Sequence, residues 1–209
     1  MALTCASVID GKASAMAIQA IQIEHKLWTV DEYEQMISAG VLGEDDRLEL
    51  IQGEIVKMSP IGSLHIYVVN QLTNLLVPLA HKNAIVSVQN PIRLADSEPQ
   101  PDLAILLPYP PRRPRTPPLA SEVILVIEVA DTTIAYDRSV KVPLYGRAGI
   151  PEVWLVDLAQ SAIEVYRGPN AAGCRKKETY GPGDVLRAEG LPDIVLAVTD
   201  MIGLPPDEQ

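Results

Sequence analysis

The chain has 209 residues, 47% of them hydrophobic but none of them Phe, and a formal net charge of −10 from 17 Lys and Arg against 27 Asp and Glu. That length can bury one sizeable core with no long polar linker to divide it, and the acidic balance argues against broad, non-specific binding to a phosphate backbone. The longest uncharged apolar runs fall well short of the roughly twenty residues that span a bilayer, and Cys5 and Cys174 belong to no ligand-spaced cluster or disulfide framework, so a protein of the reducing cytoplasm is expected.

Residues 1–26 read as an extension, disordered or a short helix, ahead of a single domain at 27–209. Asp10 and Lys12 interrupt its Ala-rich run, and no basic segment precedes an apolar stretch as a secretory signal requires. Thr29 followed by Glu32 has capping-box spacing, and Tyr33, Met36 and Ile37 supply the apolar stripe of a short helix ending near Gly40. The runs 47–51 and 54–58 flank Gln52-Gly53 as a hairpin, in a register that puts Glu49, Ile51, Glu54 and Val56 on one face. From Ser63 to about His81 apolar residues recur as Val69, Leu72, Leu76 and Leu79, which predicts the main core helix, with His65 in its first turn and Pro78 kinking or ending it. Strands are predicted at 84–94, 103–107 and 123–129. Between the last two, the proline-rich stretch 108–118 forbids a central strand and forms a stiff basic loop carrying Arg112, Arg113 and Arg115. A helix ending near Gly149, a strand pair at 153–157 and 163–166, and a last strand around 194–196 complete an α/β reading, a mixed sheet flanked by helices.

Within the run Val123–Val129 stands one acid, Glu128, which strict alternation places on the face of Ile124 and Val126. A buried lone carboxylate costs several kcal/mol unless a cation or strong donors compensate it; the plain alternative is a half-exposed strand end paired with an Arg. Asp102 opens the neighbouring apolar run after Pro101, where X-Pro-Asp is also an ordinary turn former. If the two strands are neighbours, their acids can hold one hard cation. Lys141 is expected near a helix mouth: with Ser139 as N-cap, Pro143 falls in the first turn. Of the upstream acids Glu54 is preferred over Glu49 as an extra site carboxylate, and His65 as a contact to phosphate or a ligand water; an edge-strand charge and a satisfied core histidine are their bland alternatives.

Pro101-Asp102, Ile127-Glu128-Val129, the stretch from Asp137 through Lys141 to Tyr145, and Gly149 through Asp157 resemble the Uma family of restriction-type endonucleases, within the PD-(D/E)XK nuclease superfamily. The resemblance covers about Trp28 to Gly203, including Leu48 to Glu54, Ser59-Pro60 and His65. It implies a restriction-endonuclease-like mixed sheet with an N-terminal helix and hairpin, a Mg²⁺ or Mn²⁺ site, and hydrolysis of DNA. Asp102 matches the motif aspartate and Glu128 the second acid, with the Val129 carbonyl as a further metal ligand. Where the superfamily pattern has lysine two residues later, this chain has Ala130, and Lys141 resembles a migrated lysine. Arg112, Arg113 and Arg115 would track the DNA backbone, and a homodimer would supply surface that one small acidic protomer lacks. The rival reading is a nuclease-like domain without catalysis that serves as a binding or assembly module; a carboxylate hydrolase of small substrates is a third.

Overall fold

A computed structural model describes residues 24–80, 83–113 and 115–203. Most of the expected N-terminal extension, with Cys5, lies outside the described residues, as do His81 and Pro114. Helix α1 (Val30–Ser38) starts at the predicted capping box: the Glu32 N–H donates to Thr29 Oγ1 at 3.2 Å and the Thr29 N–H to Glu32 Oε2 at 2.9 Å. Val30 and Tyr33 are its buried residues, and they pack on Leu50 of the hairpin β1 (Leu48–Ile51) and β2 (Glu54–Lys57). Helix α2 (Ser63–Ala80) continues past Pro78 rather than ending there. The proline lies in the last turn, and Asn74, whose carbonyl it leaves without a helical donor, is exposed and so can bond water.

The expected long strand is shorter. β3 (Ile85–Val88) stops because Gln89 turns left-handed at φ 51° and Pro91 has no N–H to continue a ladder. β4 (Leu103–Leu106) pairs antiparallel with β3 and with β5 (Val123–Ala130). The β4–β5 register shifts between Ile105 and Leu106, and this irregularity overturns the simple alternation expected of β5. Val123 and Val126 face one core cluster, while Ile124 packs with Leu125 in the other, so Glu128 shares its face with Val126 and Ala130 but not with Ile124.

After β5 the chain forms α3 (Ile134–Tyr136), a wide five-residue π turn (Asp137–Lys141) and α4 (Val142–Arg147), then returns as β6 (Glu152–Asp157) parallel to β5. β7 (Ala162–Asn170) and β8 (Gly173–Tyr180) complete a six-stranded mixed sheet in the order β3-β4-β5-β6-β7-β8. The expected last strand is a hairpin, β9 (Val185–Ala188) and β10 (Leu191–Ala197), followed by α5 (Val198–Ile202).

Two apolar layers cover the sheet. α2, α5 and the β9–β10 hairpin pack on Leu103, Ile105, Leu125, Ile127, Trp154 and Val156. α4, with Ile51 and Ile92, packs on Ala104, Val126, Val153 and Leu155. Neighbouring residues of β6 go to opposite layers, which is why this strand is buried throughout and reads as a continuous apolar run. The α4 layer is tight at Gly146: an added Cβ would stand 2.3 Å from the Gly173 carbonyl oxygen and 2.8 Å from Cys174 Sγ. Gly146→Ala is therefore expected to lower stability by about 1–3 kcal/mol through overpacking against backbone; a urea unfolding midpoint unchanged from wild type would contradict this contact.

Candidate active site

The pairing Leu103↔Ile127 carries the register that brings the two motif acids together. Continued one residue, it sets Asp102 beside Glu128; continued two, it sets Pro101 opposite Val129. In an antiparallel pair the N–H and C=O of one residue point to the same neighbour. Pro101 has no N–H to give, so the Val129 carbonyl has no ladder donor there, and the Val129 N–H donates instead to Asp102 Oδ2 at 2.9 Å. The same carboxylate lies 3.0 Å from His65 Nε2, and its Oδ1 accepts from Gln89 Nε2 at 3.3 Å.

The helical segment after β5 supplies the third side. Asp137 and Lys141 occupy the π turn, in which the Val142 N–H bonds the Asp137 carbonyl. Lys141 is thus not at a helix mouth capped by Ser139, as the position of Pro143 suggested. Helical backbone begins earlier, at Ile134, and Ser139 Oγ donates to the Ala135 carbonyl at 2.6 Å. Lys141 Nζ donates to Glu49 Oε1 at 2.8 Å and stands 3.4 Å from Glu128 Oε1. Tyr145, one turn on, donates its hydroxyl to Glu128 Oε1 at 2.6 Å, and Thr133 Oγ1 donates to Asp137 Oδ2 at 2.7 Å. Glu49 Oε1 also accepts the Gln100 N–H at 2.8 Å.

Glu49, Glu128, Asp137 and Lys141 are all buried, at 3, 4, 5 and 7% exposure, so four ionisable groups share a poorly solvated space. Burial pushes the Glu128 carboxyl up to about 8, the carboxylates of Asp102, Asp137 and Glu49 add to the rise, and Lys141 opposes it. Burial also raises Asp137. On Lys141 burial acts downward, but the Glu128 carboxylate when ionised, together with Glu49, outweighs it and holds the ammonium charged. The rise favours the protonated form of Glu128, so the 3.4 Å approach of Lys141 to Glu128 is an ion pair only when that carboxyl is ionised, and Glu49, which accepts the 2.8 Å hydrogen bond, is the closer partner of the ammonium.

The surrounding cleft, of about 420 Å³, is lined by Glu49, Asp102, Glu128, Asp131 and Asp137 against Arg47, Lys57 and Lys141. Among the described residues no three His, Cys, Asp or Glu side chains form a ready-made metal cage. The donor chemistry nonetheless suits a small hard cation that retains most of its water: Asp102 Oδ1, Glu128 Oε2 and the Val129 carbonyl are oxygens, and a cation there would offset the burial and the neighbouring carboxylates that together raise Glu128.

A family model described as "Uma2: Putative restriction endonuclease" matches residues 30–199. The chain belongs to the Uma2 family. No curated protein matches it. In fold, the Uma2 chain is similar to a crystal structure described as a putative nuclease belonging to DUF820 from Anabaena variabilis ATCC 29413, with TM-score 0.66 and 15% identity over 84% of this chain and 97% of that one. The restriction-endonuclease-like mixed sheet is thus shown, and no described helix is long and apolar enough to cross a membrane.

Of the residues singled out from sequence, Asp102, Glu128, Val129, Lys141 and His65 line this one cleft of the Uma2 chain. Glu54 does not. It is exposed beside the hairpin turn, and Glu49, two residues farther from that turn on the same face, reaches Lys141 instead. Arg112, Arg113 and Arg115 also fall elsewhere. Their loop joins the end of β4 to the start of β5, whereas Asp102 and Glu128 lie at the opposite end of this strand pair. Arg113 is further engaged by Glu122 at 2.8 Å and by the Tyr109 ring. Sequence reasoning passed over Asp137 and Tyr145 as site residues. Their four-residue spacing from Lys141 was the available signal, hidden by starting the helix too late.

Proposed function

We propose that this Uma2 chain is a metal-dependent endonuclease that hydrolyses DNA phosphodiester bonds in the Asp102–Glu128 cleft. The observation that carries the reading is the meeting of these two acids with the migrated Lys141, whose ammonium stands 3.4 Å from Glu128 although Ala130 occupies the usual lysine position. Asp102, Glu128 and the Val129 carbonyl would hold Mg²⁺ or Mn²⁺; when bound, the ion supplies an activated water and neutralises charge on the phosphate.

The chain's own groups divide the remaining work. Lys141 sits where an ammonium orients the attacking water and stabilises charge gathering on the equatorial phosphate oxygens. Tyr145 fixes the rotamer of Glu128, and the Val129 N–H with His65 fixes that of Asp102. His65 Nδ1 is buried with no hydrogen-bond partner among the described residues. Water attacks phosphorus, one P–O ester bond breaks, and the products are a phosphomonoester and a hydroxyl end. Duplex DNA needs more surface than one acidic protomer offers, which supports a homodimer as the working form.

The purified protein is expected to cleave single- or double-stranded DNA with Mg²⁺ or Mn²⁺ and to stop on addition of chelator. Cleavage that persists in excess chelator removes the metal from the reading. Absence of both cleavage and calorimetric Mn²⁺ binding on either side of the Glu128 titration replaces it with the non-catalytic binding module.

A further inference from the structure

The cleft has a second wall that the proposed chemistry leaves unused. Arg47 stands just ahead of β1, two residues before Glu49, and lines the cleft together with Lys57. Its backbone is left-handed, at φ 50° and ψ 66°, a conformation that side chains other than glycine adopt reluctantly and that recurs at functional sites. Two contacts hold it there: the Gly43 N–H donates to Asp46 Oδ2 at 2.7 Å, closing the turn before Arg47, and the Met58 N–H donates to the Arg47 carbonyl at 2.9 Å.

The guanidinium so placed has no hydrogen-bonding or ion-pair partner among the described residues. By contrast Arg93, Arg138 and Arg167 are each tied to carboxylates, and Lys141 is engaged by Glu49. A half-buried arginine that lines a cleft, with no partner among the described residues, presents a fork of donors matched to two oxygens of a phosphate.

We infer that Arg47, assisted by Lys57, is a phosphate seat beside the carboxylates, binding the phosphate adjacent to the one cleaved, so that the nucleic acid enters over the β1–β2 hairpin rather than along the proline-rich loop. This rests on the nuclease reading for the identity of the chain that carries the phosphate; the seat itself needs only the anion.

The test uses Arg47→Asn, since asparagine tolerates the left-handed backbone and removes the charge, with Arg47→Lys as the variant that keeps it. Binding of a short fluorescein-labelled single-stranded oligodeoxynucleotide is followed by anisotropy in chelator over a series of salt concentrations. Arg47→Asn is expected to bind about tenfold more weakly, with a log–log salt slope shallower by about 0.7–1, while Arg47→Lys keeps the slope and recovers part of the affinity. A parallel thermal-shift titration uses inorganic phosphate, expected to stabilise the wild type and not Arg47→Asn. Unchanged oligonucleotide affinity and slope in Arg47→Asn overturn the seat and leave the nuclease reading standing if the wild type cleaves. A phosphate shift that depends on Arg47, in a wild type that neither binds nor cleaves DNA, keeps the seat and removes the nuclease. Wild type that responds to neither probe overturns the seat.

Discussion

If the cleft is the proposed metal-dependent nuclease site, Glu128→Gln is expected to reduce DNA cleavage by roughly 10³-fold or more, because the ion would lose a carboxylate oxygen and with it several kcal/mol of charge stabilisation. The same substitution should alter stability in the metal-free protein, in a direction set by the carboxyl's titration. The ordinary value of 4.5 is raised to about 8 in the fold, by burial above all. The folded protein therefore holds a proton that the unfolded chain releases. The stability tied to that proton is fully present below about 4.5 and is lost as pH rises through about 8. Wild-type melting temperature in chelator should fall across this window, and Glu128→Gln, permanently neutral, should fall less steeply. Metal uptake requires the ionised carboxylate, so Mn²⁺ affinity should climb over the same range in the wild type alone. Parallel melting curves for the two proteins across the window would refute a buried, protonated Glu128.

Lys141→Met is the second large effect, and here stability and activity fall together. The ammonium is the buried cation nearest Glu49 and Glu128, and removing it leaves Glu49, at 3% exposure, with the Gln100 N–H but without its cationic partner. Breaking a buried pair from one side costs about 3–5 kcal/mol, whereas replacing both partners by apolar or neutral groups of similar shape is far milder. Urea denaturation should therefore show the full loss in Lys141→Met and partial recovery in Lys141→Met with Glu49→Gln. Cleavage should drop by about 10²–10³-fold in both, since the transition-state charge loses its donor either way. Stability within about 1 kcal/mol of wild type in the single variant would mean that the Lys141–Glu49 contact is not maintained in solution.

Elements written in local chemistry were legible. Thr29 and Glu32 are three residues apart and need nothing else to close a capping box, and Gln52-Gly53 sets the hairpin through turn geometry alone. The helix carrying Lys141 was misplaced because Pro143 invites a late start; a π turn instead carries continuous helical backbone from Ile134 into α4. The face of Ile124 was misread because a register shift opposite Leu106 is a property of two strands and leaves no mark in the spacing of one. Glu54 and Glu49 alternate identically on the hairpin. Only the packing of the helical segment over one end of that hairpin selects Glu49.

An acid inside an aliphatic run is an electrostatic liability wherever it is placed, so the need to compensate Glu128 is already written in the order of residues 123–129. Asp102 at the start of the neighbouring strand and Lys141 on the following helix stood out in the residues themselves, and family resemblance gave them motif roles. Tertiary structure alone decided how the liability is managed. Tyr145 donates to the carboxyl, Lys141 shares itself with Glu49, Pro101 leaves the Val129 carbonyl without a ladder donor, and the cluster still carries more negative charge than positive. Charge balance in a buried site is a sum over groups brought from 49, 102, 128, 137 and 141, and no local window of the chain contains that sum.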